Sequence, residues 1–188
     1  MNKERVLSDR DLWYLIAQSS LGKNHRPLNL CGANLKGANL FGANLQAADL
    51  RKTNLKYADL RGAKLEFALF DESDLSEANF TEADLRSTSF KSARLFQARL
   101  DKANASNSEF SYANLMTASL RDCDFNGSNM QAANFSGAKL SMTIFDGVDL
   151  SKADFSNTSL RSCYLKGALL SDAILDSENL MIVNNLRF

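Results

Sequence analysis

Between Leu30 and Leu180 every fifth residue is apolar, with no insertion or deletion to break the register. Of these 31 positions, 21 are Leu, eight are Phe, and the other two are Met130 and Ala105. That regularity excludes the two simplest folds. An α-helix turns about 100° per residue, so a step of five moves the apolar position by about 140° and scatters it around the helix. A plain strand fails because side chains alternate and five is odd, which sends successive leucines to opposite faces. A short extended piece followed by a corner satisfies the pattern. Ala33 and Leu35, two apart, then point inward together, Asn34 between them points out, and Lys36 and Gly37 turn the corner. The chain must wind about an axis and stack on itself as an all-β solenoid with a linear core.

The repeated phrase is Ala-(Asp/Asn)-Leu followed by two freer residues, as in Ala38-Asn39-Leu40, Ala58-Asp59-Leu60 and Ala83-Asp84-Leu85. It resembles the pentapeptide-repeat family over residues 30–180 of the 188. That resemblance implies a right-handed quadrilateral β-helix with four pentapeptides per coil. At strand spacing the repeat region would make about 7.5 coils and a rod roughly 36 Å long, so seven to eight coils are expected. Residues twenty apart would then be stacked neighbours.

Three segments follow. Residues 1–29 read as a capping helix and linker, residues 30–180 as the repeat, and residues 181–188 as a C-terminal tail or cap. In the first segment Ser8 can cap a helix whose first turn holds Asp9 and Asp11. Leu12, Leu15, Ile16 and Ser19 share a stripe with Trp13 beside it. Gly22 suits the helix end, and Pro27 marks a connecting turn. A stack of coils ends in unpaired backbone and bare core, so this helix is expected as a lid over Leu30, Leu35, Leu40 and Leu45.

Composition narrows the function. Twenty-two basic and 22 acidic residues cancel, which gives no overall pull toward nucleic acid or an anionic membrane. No apolar run approaches the roughly 18 residues that span a bilayer, and Glu4, Asp9 and Asp11 argue against a signal peptide. The three cysteines suggest a reducing cytoplasm. Cys123 and Cys163 sit in small inward positions two coils apart. Their separation of about 9.6 Å along the axis exceeds the ~7 Å limit for a disulfide. Ala105, the one small residue in the register, would need a neighbour to lean in, and Phe125 is the expected filler.

Charge is banded along the axis. Residues 66–85 carry seven acidic side chains (Glu66, Asp71, Glu72, Asp74, Glu77, Glu82 and Asp84) and no basic one, between two basic stretches. The belt reads first as charge ladders between coils, in columns such as Arg51–Asp71–Lys91, and second as a docking site for a basic partner. Outward apolar residues are the other surface signal. The stacked pairs Phe96–Met116 and Ile144–Tyr164 are the candidate contact patches. At the C-terminal end the phrase fades, and Leu180, Met181, Ile182 and Val183 are candidates either for a self-made cap or for a homodimer contact.

No nucleophile–base pair, phosphate loop, dinucleotide fingerprint or spaced metal ligands occur, and the one histidine, His25, lies in the linker. The Asp and Asn before each register position suit backbone hydrogen bonding at corners better than acid–base chemistry. The chain is therefore expected to be a non-enzymatic scaffold for protein–protein interaction, with no catalytic, cofactor or metal site and no direct nucleic-acid or membrane partner. The resemblance implies an alternative, a DNA mimic that binds gyrase or topoisomerase as the quinolone-resistance members do. Balanced charge, acidity confined to one coil and the absence of loop insertions depart from that branch. The clean units look more like the many bacterial, especially cyanobacterial, members.

Overall fold

The computed structural model describes residues 7–21 and 27–185; Gly22, His25, Leu186 and Phe188 lie outside them. From Asn29 to Ile174 the backbone is held by parallel bridges, each joining a residue to the one twenty positions on. The first four are Asn29–Asp49, Asn34–Asn54, Asn39–Asp59 and Asn44–Lys64. One coil is therefore four five-residue units, and four ladders run along the axis. Each extended piece is too short to form a longer strand among the described residues, because a corner follows at once.

The bonding of one rung recurs along the ladders. Leu35 N–H donates to Asn54 O (2.7 Å), Asn54 N–H to Ala33 O (3.0 Å), and Gly37 N–H to Lys56 O (2.8 Å). Ala38 N–H then closes the corner on Leu35 O at 3.0 Å. The third residue of this turn is left-handed, as type II turns require. Gly37 takes φ 69° there without cost, yet twenty non-glycine residues adopt the same conformation, among them Lys52 (57°) and Tyr57 (64°). The ladder, not local preference, imposes the corner.

Where it is Asn or Asp, the residue before a register position has the expected corner role. Asn34 Oδ1 accepts from Lys36 N–H (3.3 Å), Asn54 Oδ1 from Lys56 N–H (3.2 Å), and Asn134 Oδ1 from Ser136 N–H (2.8 Å). Three Asp residues add a forked ion pair. Asp49, Asp59 and Asp84 each take an Arg two residues on, at 2.7 Å in every case.

The core alternates small and large residues. Phe70, Phe90 and Phe110 stack face to face at 4.8 and 4.6 Å, with Phe80 edge-on to the first two. A second stack of Phe125 with Phe145 and Phe135 with Phe155 fills the later coils. Phe125, directly above the buried Ala105 in its column, meets Phe110 edge-on at 5.4 Å. Some polar residues at the small inward position bond the coil before them, whereas Thr53 and Ser73 bond Leu50 O and Phe70 O on their own coil. Thr143 Oγ1 donates to Leu120 O (2.8 Å) and Ser128 Oγ to Ala105 O (2.8 Å). Cys123 and Cys163 carry free thiols that donate to Leu100 O and Leu140 O.

Helix α1 (Asp9–Leu21) lies against the first coil. Leu12 and Ile16 join the core beside Leu30 and Leu35, whereas Trp13 stays partly exposed. Asp9 Oδ1 accepts from Asn39 N–H (3.2 Å), and Trp13 Nε1–H donates to Asn39 O (3.0 Å). In later coils the preceding coil serves both backbone groups. Helix α2 (Ser177–Asn185) closes the other end. It begins before residue 181, so the repeat ends earlier than its leucine register suggests. Leu180 keeps the spacing of five but is a helical residue. Asn179, fully buried, donates through Nδ2 to Thr158 O (2.6 Å) and accepts Leu160 N–H on Oδ1 (2.9 Å).

Candidate interaction surfaces

The acidic belt is saturated by its neighbours. Glu66 faces Arg86 (3.6 Å), Glu72 faces Lys52 (3.6 Å), Glu77 faces Lys56 (4.0 Å) and Glu82 faces Lys102 (3.9 Å). Asp84 is held by Arg86, and Asp74 by the hydroxyl (2.6 Å) and amide (3.1 Å) of Ser76. Asp71 accepts from the Ser89 hydroxyl and the Lys91 amide. Four cations of the flanking coils thus pair with five of the seven carboxylates, while Asp71 and Asp74 are held by hydrogen bonds. One expected ladder is different: Arg51 forks onto Asp49 rather than Asp71, because the carboxylate two residues away on its own corner presents both oxygens. The Arg partner, despite some burial, holds the carboxyls of Asp49, Asp59 and Asp84 below the usual carboxylate range. For Asp74, burial is the largest influence and pushes upward, but the Ser76 bonds with Arg94 and Lys56 prevail and lower it.

The apolar candidates divide. Phe96 and Met116 are half-buried rather than protruding. Ile144 is also half-buried, while its bridge partner Tyr164 is 48% exposed. Leu169 and Ile174 follow Tyr164 on the next two faces of the same coil and are exposed as well. All three stand where earlier coils carry corner-bonding Asn or Asp, such as Asn104, Asp149 and Asp154. Together they form an apolar collar at the C-terminal rim. The signal was their common place in the five-residue phase.

Of the four C-terminal candidates, Val183 is buried in the core and Ile182 packs against it, because the tail is a helix with one face on the last coil. Leu180 and Met181 remain exposed, at 47% and 68%. Elsewhere two exposed rings are covered by cations. Lys36 and Lys56 ammonium groups lie 5.6 and 5.0 Å from the Tyr57 ring, and Arg61 lies 5.4 Å from the Phe41 ring.

Among the described residues there is no His/Cys/Asp/Glu group arranged to hold a metal, and no helix is long and apolar enough to cross a membrane. The family model for pentapeptide repeats matches residues 28–56, 58–97, 88–127, 113–151 and 143–177, in eight copies. Comparison with curated proteins finds no match. Among solved structures, HetL is a pentapeptide-repeat protein involved in heterocyst differentiation regulation in the cyanobacterium Nostoc sp. strain PCC 7120. It is 26% identical, over 90% of this chain and 95% of its own, with a TM-score of 0.34. The plasmid-mediated fluoroquinolone resistance protein QnrB1 is 20% identical over 84% and 96% of the two chains, with a TM-score of 0.45. Rfr23 from the cyanobacterium Cyanothece 51142 is 21% identical over 89% and 98%, with a TM-score of 0.35.

Proposed function

The chain belongs to the pentapeptide-repeat family, and from that premise we propose that it is a rigid, non-catalytic scaffold that engages a protein through its C-terminal collar. Proteins of this family are in general structural or interaction proteins rather than enzymes. We take the coil as right-handed and four-sided, with seven to eight turns, as the family implies.

The carrying observation is the replacement of corner-bonding residues by Tyr164, Leu169 and Ile174 on three faces of one coil. Each forgoes the Oδ1 bond that Asn or Asp supplies at this place. With Leu180 and Met181 exposed on the C-terminal helix, they leave apolar side chains in water toward one end of the rod, as an association surface does. A cytoplasmic home suits the free thiols and the balanced charge.

The gyrase-mimic reading has less support, because acidity is confined to one coil and five of its seven carboxylates are paired with Lys52, Lys56, Arg86 and Lys102. A supercoiling assay with added protein should show neither inhibition nor drug protection.

The test replaces Tyr164, Leu169 and Ile174 together by Asn, which restores the corner residue of the phrase. Affinity capture from the source cell with the intact chain should recover a protein that the triple variant does not retain. Equal recovery by both chains, or none by either, overturns the reading. Light scattering distinguishes a second copy of the chain, which would dimerise the parent and leave the variant monomeric.

A further inference from the structure

One ladder is interrupted at a single place. The bridges Arg99–Ser119 and Ser119–Lys139 continue a regular column, but no bridge joins Lys139 to Ser159. By the pattern of Leu120 N–H on Lys139 O, Leu140 N–H should donate to Ser159 O; by the pattern of Lys139 N–H on Ala118 O, Ser159 N–H should donate to Ala138 O. Neither bond is made. The next rung slips by one residue, with Met142 N–H on Ser162 O (3.1 Å) where Asp122 N–H takes Ser141 O. Ser162 is also the one corner residue between 32 and 172 that is not left-handed.

The interruption opens a cleft of about 230 Å³ lined by Arg121, Lys139, Ser141, Ser159 and Ser162, with Ala138 and Leu140 at its floor. The amide after a register position is commonly held by a polar side chain two residues earlier, or by an Asp one coil below, as Asp101 serves Arg121. For Ser141 those two positions are Lys139 and Arg121, and neither can accept. Three backbone N–H groups, of Leu140, Ser141 and Ser159, are thus left without protein acceptors beside two cations and three hydroxyls. No carboxylate lines the cleft. Asp101, one coil below Arg121, is engaged by Ser119 Oγ (2.5 Å), the Arg121 amide and Arg99 (3.9 Å); Glu178 is engaged by Arg161 (3.0 Å). Lys139 has no acidic partner among the described residues.

We infer that this opened rung is a binding site for a tetrahedral oxyanion of the phosphate class. Convergent backbone N–H groups with a neighbouring Lys and Arg are the arrangement that holds phosphate. The freed carbonyls of Ala138 and Ser159 favour an anion that also carries a hydroxyl, such as hydrogen phosphate or a phosphomonoester. The inference does not depend on the collar, whose residues lie outside the cleft.

The test is an amide-resolved NMR titration of the full chain with sodium phosphate and, separately, with O-phosphoserine, at constant ionic strength. Saturable shifts should centre on Leu140, Ser141 and Ser159. Lys139→Gln and Arg121→Gln, both at exposed side chains, should each weaken binding by about tenfold or more, while Lys152→Gln leaves it unchanged. Tighter binding of O-phosphoserine assigns a phosphorylated side chain, and tighter binding of phosphate assigns the free anion. Linear shifts spread over the basic surface, or undiminished saturation in Lys139→Gln with native dispersion of the spectrum, overturn the site.

Discussion

The carboxamide of Asn179 takes Leu160 N–H on its oxygen at 2.9 Å and gives its own N–H to Thr158 O at 2.6 Å. These are the two bonds that the peptide of a following coil would make. Asn39 shows the same substitution at the opposite end of the same column, where Asp9 accepts its N–H and Trp13 donates to its carbonyl. Both helices thus end the solenoid by lending side chains to one exposed edge.

Asn179→Leu keeps the bulk but leaves Leu160 N–H and Thr158 O unpaired, at a cost of about 2–4 kcal/mol. The loss should be local, since coils couple only to their neighbours. Hydrogen exchange at Leu160 should accelerate while Leu60 stays protected. Unchanged protection at Leu160 would refute the capping account.

At the other end, Trp13→Phe deletes one bond to Asn39 and should cost about 0.5–1.5 kcal/mol. Leu12→Ala, which opens the buried contact with the first coil, should cost about 2–5 kcal/mol. Chemical denaturation of the two variants ranks bond against burial. A larger loss from Trp13→Phe would reverse the assignment.

A Cβ on Gly37 meets nothing within 4 Å, so Gly37→Ala tests the left-handed corner alone. It should destabilise by about 1 kcal/mol, and Ala132→Gly, at φ 56°, should be neutral or stabilising by up to a similar amount. Thermal melts of the pair decide it.

The Asp49, Asp59 and Asp84 carboxyls are lowered by their Arg partners. A depressed folded-state value means that the contribution is present above the ordinary carboxylate range near 4 and is lost as pH falls through the lowered values. Replacing all three Asp by Asn keeps the corner acceptor and removes the charge. That variant should lose less stability than the parent between neutral pH and pH of about 3. Parallel melting curves would show that the forks contribute nothing.

Burial pushes the Cys163 thiol up to about 12 and the fully buried Cys123 higher still. With Ellman's reagent at mildly alkaline pH, exposed Cys31 should react at once and Cys123 only on unfolding. Rapid labelling of all three thiols in the folded protein would contradict the packing.

The coil itself was legible in the sequence because a step of five admits one geometry. The inward Ala–Leu pair, the corner after it and the corner-bonding Asn or Asp all reappear at the positions the register assigns. The acidic belt was legible as charge but not as pairing: which carboxylate meets which cation depends on side-chain reach, so Arg51 turns to Asp49. Phe96 and Met116 read as exposed because period alone does not give the burial of the residue after a register position, which runs from half-buried Phe96 to exposed Phe41.

By itself the sequence determined the repeat, its core and the fading of the phrase toward the C-terminus, since each is a property of residues spaced along one chain. The tertiary structure decided what required neighbours twenty residues away. Only stacking shows that Tyr164, Leu169 and Ile174 share one rim, and that Asn179 replaces a missing coil. The unmade bonds beside Lys139 likewise become visible only when the coil above is in place. A hydrogen bond not formed leaves no mark on composition or period.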